Sequence, residues 1–476
     1  MASSSNKVRP FGHSRLDEFP LDPKYKNLNH GSFGTFPKSV LDKFRSYQDE
    51  YEGSPDTFLR YKHPPLLRES REQVAKIINA PTESVVYVKN ATTGVCTILT
   101  NLEYQPGDII IYFSGVYGAV EKTLTYLAET TPLRARKVEY TFPISHAEIV
   151  QKFEELVRKV REEEKLNVKL AVFDIVSSQP GVRAPFEKLV QVCKREGILS
   201  CIDGAHGIGH VPLDMSALDP DFFVSNCHKW LYTPRGCSVF YVPVRNQHLI
   251  RTTLPTSHGF VPIPGILSSD PNSTTKPTAS SGKVTNVLPT SGFPQSAFEL
   301  LFEFVATNDD LPYLCVPMAI KYRQEACGGE AAIMKYCEDL AWEAGNAAAA
   351  ILGTEVIDES KGEKGSSQLR QCAFANVRLP LTIVSEGEDK DPENTSGYPV
   401  VQASATERVC RWIEKELTYS HNTLVPTFVH NGHFWVRLSA QIYLDLDDFK
   451  WVAGVLKGIC ERVAVDEGLA EYLKRL

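Results

Sequence analysis

The stretch "DFFVSNCHKWLYTPRG", Asp221 to Gly236, places a histidine and a lysine directly after an apolar run. An isolated lysine is most often a surface charge, because an ammonium group is costly to bury. His228 and Lys229, however, follow a run that is typical of a buried strand. The end of a sheet strand can hold a reactive side chain, so the stretch predicts a functional lysine at the edge of a sheet.

Segments with strand character alternate with helical segments on both sides of this stretch. The segments "DIIIYF" (108–113), "KLAVFDIVSS" (169–178) and "GILSCIDGAH" (197–206) predict buried strands. The segments "AEIVQKFEELVRKVREEEK" (147–165) and "FEKLVQVCKREG" (186–197) predict helices, the second of them closed by a glycine. This alternation indicates an α/β fold with a mostly parallel sheet and helices on both faces.

The C-terminal part of the chain has a different pattern. It combines the helical segment "GEAAIMKYCEDLAWEAGNAAAAIL" with a strand in "FWVRLSAQIY", which predicts a smaller α+β domain. We therefore expect an N-terminal segment (1–40) that contributes to the site and to the small domain, a large domain (41–311) and the small domain (312–476). Two polar stretches, 268–286 and 384–397, predict loops.

The composition is that of an ordinary globular protein. Of 476 residues, 42% are hydrophobic and 23% are charged, which is enough apolar mass for a large core. The net charge of −7 argues against nucleic acid as a partner. The 11 cysteines have neither zinc nor disulfide spacing, and no segment is typical of a signal peptide or a membrane span. We expect a cytoplasmic protein with reduced thiols, no metal and no membrane partner.

Four polar segments carry chemistry that fits one small molecule. "NATTG" (90–94) places hydroxyl groups and a glycine at a predicted helix N-terminus, where backbone N–H groups can hold a phosphate. "DGAHGIGH" (203–210) places a carboxylate directly after a buried strand. "SNCHKW" (225–230) surrounds the lysine with polar side chains, and "FEFVATND" adds a polar turn.

A phosphate cradle, a carboxylate and a lysine are together what pyridoxal 5′-phosphate requires. The lysine forms an imine with the aldehyde of the cofactor, and the carboxylate keeps the ring nitrogen protonated so that the ring can accept electrons. The lysine also needs a lowered pKa to react at neutral pH, which burial near other cations supplies.

These motifs resemble the class V aminotransferase group of fold-type I pyridoxal-phosphate enzymes. The acid precedes the lysine, and a histidine stands immediately before the lysine. "LNHGSFGTFP" (28–37) is similar to the isopenicillin N epimerase-like branch. "PDTFLRY", "CHKWLYTPRGCSVFYVPVRNQHLIRTTLPTSHGF" and "FWVRLSAQIY" resemble the fungal lyases of ergothioneine synthesis. The resemblance implies a seven-stranded sheet in the large domain and a homodimer with its sites at the interface.

The resemblance also implies roles for residues around the cofactor. Lys229 would be the catalytic, imine-forming lysine, Asp203 the partner of the ring nitrogen, and His206 a neighbour of the phenolic oxygen. The residues expected to bind the phosphate are Thr92, Thr93, Ser225, His228 and, from the neighbouring subunit, Thr307.

On the substrate side the resemblance implies a small-molecule amino acid as the ligand. Arg437 would clamp its α-carboxylate in a bidentate pair. Asn29 and His30 would line the substrate side. Tyr117, in "GVYGAVEK", would stack on the cofactor ring and is the candidate proton donor to the leaving sulfur group.

Several of these residues also have a purely structural interpretation. Asp203 and the two threonines of "NATTG" could be helix caps, and Arg437 could be part of a structural salt bridge. Asn29 and His30 could shape a glycine-containing turn. Tyr117 could be a packed aromatic side chain.

The implied reaction is a β-elimination. A carbon–sulfur lyase of this kind cleaves the β-carbon–sulfur bond of a cysteine-conjugate sulfoxide such as hercynylcysteine sulfoxide, giving a sulfenic acid, pyruvate and ammonia. The alternative is a cyclase, epimerase or aminotransferase that acts on another amino acid. A cysteine desulfurase is disfavoured, because Cys372 stands in a strand-like context that suits a mobile nucleophile poorly. A dinucleotide-binding protein is disfavoured by the lack of G-x-G-x-x-G after the first strand.

Overall fold

The computed structural model describes residues 8–261, 295–360, 363, 365–386 and 397–463. The predicted loop 268–286 lies outside these residues, as does most of the predicted loop 384–397.

Seven strands of the described chain form one sheet in the order β1-β7-β6-β5-β4-β2-β3. All neighbours are parallel except β7, which runs antiparallel to β1 and β6. This confirms the predicted mostly parallel seven-stranded sheet. The strands are β1 (Val85–Val88), β2 (Asp108–Phe113), β3 (Arg134–Val138), β4 (Asn167–Asp174), β5 (Leu199–Asp203), β6 (Phe222–Asn226) and β7 (Ser238–Tyr241).

Helices cover both faces of this sheet and continue into the C-terminal part. The α-helices are α1 (His30–Phe33), α2 (Lys38–Gly53), α3 (Pro55–Thr57), α4 (His63–Ile77), α5 (Ala91–Asn101), α6 (Gly118–Thr130), α7 (His146–Arg158), α8 (Phe186–Glu196), α9 (Met215–Leu218), α10 (Cys227–Trp230), α11 (Ala297–Glu303), α12 (Leu311–Leu314), α13 (Val316–Glu325), α14 (Glu330–Leu352), α15 (Thr406–His421) and α16 (Leu446–Arg462). Short 3₁₀ helices span His13–Glu18, Thr82–Ser84, Val244–Leu249 and Ala403–Ala405, and π-helical turns span Phe58–Lys62 and Lys159–Glu163.

The central strands are apolar on both faces because two layers of core pack against them. Phe173 of β4 and Ile202 of β5 belong to one cluster of buried side chains, and the preceding residues, Val172 and Cys201, belong to the other. Successive side chains of a strand point to opposite faces of the sheet, so a continuous apolar run is what such a doubly covered strand needs.

The C-terminal part forms smaller sheets packed with long helices. Strands β8 (Phe374–Arg378), β9 (Thr382–Val384), β10 (Val400–Gln402), β11 (Thr427–His430) and β12 (His433–Ser439) form an antiparallel sheet in the order β11-β12-β8 and a parallel pair of β9 with β10. This confirms a smaller C-terminal unit of helices and sheets, and the boundary near residue 312 stays a prediction.

The N-terminal segment ties the two units together. The backbone N–H of Gly12 donates to the carbonyl of Ile442 at 2.8 Å, and the N–H of Ser439 donates to the carbonyl of Leu28 at 3.1 Å. Gly34 then lies directly against the backbone of His228. The segment therefore passes between the small unit and the turn that carries the lysine.

Among the described residues, no helix combines the length and the hydrophobicity needed to cross a lipid bilayer.

We predict that Gly34→Ala destabilises the fold by roughly 2–4 kcal/mol, because it adds both a steric overlap and backbone strain. Gly34 has a φ of +66°, and a Cβ placed there would overlap the carbonyl oxygen of His228. Urea unfolding of the purified chain measures the loss.

The matched control is Gly53→Ala in α2, where no heavy atom lies within 4 Å of the new Cβ. This change should stabilise the chain by up to about 1 kcal/mol, since alanine is the better helix former. If Gly34→Ala and Gly53→Ala unfolded at the same urea concentration, the result would contradict the close approach of the N-terminal segment to the turn that carries Lys229.

Candidate active site

A cavity of about 140 Å³ opens at the carboxyl ends of the central strands. This is the position at which parallel α/β sheets bind ligands. Its lining combines groups from six parts of the chain: Ser32, Ala91, Thr92, Tyr117, Asp174, Ser178, Asp203, Ala205, His206, Asn226 and Lys229.

Lys229 lies in the one-turn helix α10, which follows β6 without a loop. The Nε2–H group of His30 donates to the carbonyl of Lys229 at 2.5 Å, and Nδ1 of the same ring lies 3.0 Å from the hydroxyl of Tyr443. His30 is fully buried and is not among the residues that line the cavity, so its expected place on the substrate side stays a prediction. Its ring fixes the backbone that carries the lysine.

The amine of Lys229 is poised to be uncharged near neutral pH. Burial, together with the positive charge of Arg437, lowers its pKa to about 7, although Asp203 and Asp174 act in the opposite direction. An uncharged amine is the form that attacks an aldehyde and the form that accepts a proton. The sequence-based requirement of a lowered lysine pKa is therefore met.

Two buried carboxyl groups lie side by side near the lysine. Asp203 ends β5 and is paired in register with Asp174 at the end of β4. Burial raises the pKa of both groups, and neither forms an ion pair within the described residues. The backbone N–H of Ala205 donates to Asp203 Oδ1 at 3.0 Å. The sequence analysis missed Asp174, although it follows an apolar strand in the same way as Asp203.

Arg437 of β12 is a buried cation, and no carboxylate within the described residues pairs with it. Its side chain is 1% exposed, and burial lowers its pKa to about 10. Its NH2 group donates to Asn29 Oδ1 at 3.1 Å and to the hydroxyl of Ser32 at 2.9 Å, and NH1 donates to the carbonyl of Ser178 at 2.6 Å. A buried cation with only neutral partners is suited to bind an anion. Asn29 thus contributes by positioning Arg437.

The N-terminus of α5 faces the cavity through Thr92. Asn90 caps this helix, because its Oδ1 accepts from the backbone N–H of Thr93 at 2.8 Å and from the Thr93 hydroxyl at 3.0 Å. Thr93 therefore takes part in the cap and is not among the residues that line this cavity, and its role in phosphate binding stays a prediction.

Asn226, the residue after Ser225, lines the cavity, whereas Ser225 does not. The hydroxyl of Ser225 donates to the carbonyl of Gly204 and accepts from the N–H of Ile208, so it is satisfied away from the cavity. Asn226 points to the other face of β6, and its Oδ1 accepts from the N–H of Ala91 at 2.8 Å. Its Nδ2 group is left as a donor at the cavity. The alternation of side chains along a strand was the signal that could have separated the two residues.

The remaining predicted residues are divided between the cavity and its surroundings. His206 lies in the cavity, with Nε2 at 3.2 Å from the amine of Lys229, and Tyr117 lines it with 49% of its surface exposed. His228 lies beside the cavity lining, and its Nδ1–H donates to the carbonyl of Cys237 at 3.0 Å. Thr307 lies in an exposed turn outside this lining.

The chain is similar over its length to known proteins. The family model described as Aminotransferase class-V matches residues 33–260. An L-cysteine desulfhydrase-like protein of Epichloe uncinata is 38% identical over 97% of this chain and 98% of its own length. The hercynylcysteine sulfoxide lyase of Schizosaccharomyces pombe is 30% identical over 94% of this chain and 98% of its own. The cystine C–S lyase C-DES has the same fold, with a TM-score of 0.66 and 16% identity over 91% of this chain and 98% of that one.

The chain belongs to the class-V aminotransferase family, and pyridoxal 5′-phosphate is its cofactor. The cavity fits this group. Asp203 is an unpaired carboxyl that would face the ring nitrogen, and Asn226 Nδ2 and the start of α5 at Thr92 offer donors for the phosphate. Lys229 would supply the amine for the aldehyde.

We predict that Arg437→Gln raises the pKa of Lys229 by about one to two pH units, because a nearby positive charge is removed. The measurement is the pH dependence of reductive methylation by formaldehyde in the cofactor-free chain. Mass spectrometry follows the tryptic peptide that contains Lys229.

Arg437→Lys keeps the charge and should leave this pKa close to 7, as in the parent chain. A pKa that is the same in the glutamine variant and the parent would show that Arg437 does not act on the lysine.

Proposed function

We propose that the protein is a pyridoxal-phosphate-dependent C–S lyase that cleaves hercynylcysteine sulfoxide. The β-carbon–sulfur bond breaks and the sulfur leaves as a sulfenic acid. The three-carbon fragment, an enamine of pyruvate, takes up water and gives pyruvate and ammonia. The observation that carries the proposal is Lys229, whose pKa burial and Arg437 lower to about 7, in a cavity whose lining contains no cysteine.

The residues of the cavity have separate tasks in this reaction. The bound cofactor withdraws electrons from the substrate's α-carbon and so makes its proton acidic. Asp203 holds the positive charge on the ring nitrogen, and Arg437 binds the α-carboxylate in the orientation fixed by Asn29 and Ser32. Lys229 accepts the α-proton through its uncharged amine.

Tyr117 is suited to protonate the leaving sulfur group. It is the N-cap residue of α6, lines the cavity and remains half exposed. A group at the open side of the cavity can reach a leaving group that extends toward solvent, whereas Lys229 lies at the bottom.

The surroundings of Cys372 argue against a desulfurase. Its side chain is 1% exposed, and its sulfur packs against the carbonyl oxygens of Leu369 and Gly181 at 3.8 and 3.9 Å. Burial raises the pKa of this thiol to about 12. A buried thiol of high pKa is a poor nucleophile.

L-Cysteine itself is the second candidate substrate. The relative in Epichloe uncinata, an L-cysteine desulfhydrase-like protein, is 38% identical, against 30% for the sulfoxide lyase. Both substrates undergo the same elimination and differ in the sulfur product, which is sulfide from cysteine and a sulfenic acid from the sulfoxide. A cyclase, an epimerase or an aminotransferase would release no pyruvate in the absence of a keto acid.

The proposal includes a homodimer in the cytoplasm. Thr307 lies in an exposed turn outside the cavity lining, which suits a contact with the phosphate in the neighbouring subunit. The 11 cysteines are all unpaired, which favours a reducing compartment.

We predict that the cofactor-loaded enzyme releases pyruvate from hercynylcysteine sulfoxide without a keto-acid co-substrate. Lys229→Ala should lose this activity by at least about 10³-fold, because it lacks the base. Cys372→Ala should keep it, and mass spectrometry identifies the sulfur product.

If pyruvate formed from L-cysteine but not from hercynylcysteine sulfoxide, L-cysteine would be the substrate instead. Consumption of the amino acid without pyruvate would contradict the elimination, and activity that disappears in Cys372→Ala would favour the desulfurase.

We predict that Tyr117→Phe slows pyruvate release by roughly 10²-fold, the size of a typical general-acid contribution. The visible absorption of the bound cofactor should remain, since the aromatic ring is kept. Tyr126→Phe is the matched control, because Tyr126 is an exposed tyrosine of the same helix outside the cavity lining. Equal rates in the two variants would remove Tyr117 as the proton donor.

A further inference from the structure

The indole of Trp230 lies behind the cavity and binds the histidine that faces the lysine. Nε1 of Trp230 lies 3.1 Å from Nδ1 of His206, and Nε2 of the same histidine lies 3.2 Å from Nζ of Lys229. We propose that Trp230 is a positioning residue that locks His206 in the tautomer that presents its Nε2 proton to Lys229. This inference is independent of which β-substituted amino acid is the substrate.

The hydrogen-bond donors and acceptors of Trp230, His206 and Lys229 allow only one arrangement of the protons. An indole N–H can only donate, so Nδ1 of His206 must accept and carries no proton. The pKa of His206 lies well below its ordinary value, chiefly because the ring is buried, so the ring is neutral. A neutral ring without a proton on Nδ1 carries it on Nε2. Nζ of Lys229 then accepts this proton, which it can do only as an uncharged amine.

The indole is held so that it cannot turn away from His206. The ring of His210 stacks on it at 4.0 Å with an angle of 19°, and the ring of Phe374 meets it edge-on at 5.4 Å. Its own backbone carbonyl accepts from Arg323 NH1 at 2.7 Å.

His210 is itself fixed as a neutral ring. Its Nδ1–H donates to the carbonyl of His206 at 2.8 Å, and its Nε2 accepts from the N–H of Ala373 at 2.7 Å. The stack behind Trp230 therefore adds no second donor that could compete for Nδ1 of His206.

Removal of the indole N–H leaves the charged groups around Trp230, His206 and Lys229 in place. Lys229 is faced by Arg437, Asp203 and Asp174. His206 is faced by Lys229 and Arg437 and also by His210 and His228. Once the indole donor is gone, Nδ1 of His206 can carry the proton. Nε2 then becomes an acceptor that favours the ammonium form of Lys229.

The test is Trp230→Phe in the full-length chain freed of cofactor. The pH dependence of reductive methylation at Lys229, followed by mass spectrometry, gives the pKa of the lysine. We expect it to rise by about one pH unit, the size that one lost hydrogen bond to the uncharged amine supports. In the His206→Gln variant, adding Trp230→Phe should not raise the pKa of Lys229 further. A glutamine amide can turn either its donor or its acceptor to the lysine, so the indole no longer decides which group faces it.

A matched control separates the tautomer from a general loss of packing. Trp435→Phe also removes a buried indole hydrogen bond, from Nε1 to the carbonyl of His430 at 3.0 Å, and should leave the pKa of Lys229 unchanged. A second variant replaces Trp230 by β-(3-benzothienyl)alanine, in which sulfur takes the place of the indole N–H at nearly the same volume. If urea unfolding shows that Trp230→Phe does not fold, the pKa of Lys229 in this second variant is the test.

An unchanged lysine pKa in the folded Trp230 variants would overturn the proposal. An equal rise in the His206→Gln background would also overturn it, because the effect would then not pass through the histidine.

Discussion

The site depends on buried charges that find no partner in the described chain. Asp203 and Arg437 are both almost fully buried, and neither forms an ion pair with another described residue. Taking an ion out of water costs several kcal/mol unless an opposite charge or hydrogen bonds compensate. Neutral donors and acceptors provide only part of this compensation here. In the proposed function, the ring cation of the cofactor and the carboxylate of an amino-acid substrate would complete these charge pairs.

The charges around the site also set the pKa of the Lys229 amine. Arg437 disfavours the ammonium form of Lys229, whereas the carboxyl groups of Asp203 and Asp174 favour it. A substrate carboxylate that neutralises Arg437 shifts this balance toward a more basic lysine. In the proposed function, the free chain would hold an amine that can attack the cofactor, and substrate binding would strengthen the base that removes the α-proton.

The sequence predicted the features that follow from local pattern. Continuous apolar runs that alternate with amphipathic helices predict the doubly covered parallel sheet, and a polar residue directly after such a run predicts the position of Asp203 and Lys229. Local pattern does not give the direction of individual side chains. Ser225 and Asn226 are adjacent and equally polar, and strand alternation decides which of them faces the cavity. His30 and Asn29 are likewise adjacent, but their tasks depend on the distant partners Tyr443 and Arg437.

The covalent link between Lys229 and the cofactor is the central claim, and borohydride reduction of the cofactor-loaded protein tests it most directly. After tryptic digestion, the account predicts that the reduced cofactor is attached to Lys229 alone. Cofactor mass on another lysine, or no stable attachment after reduction, would contradict it.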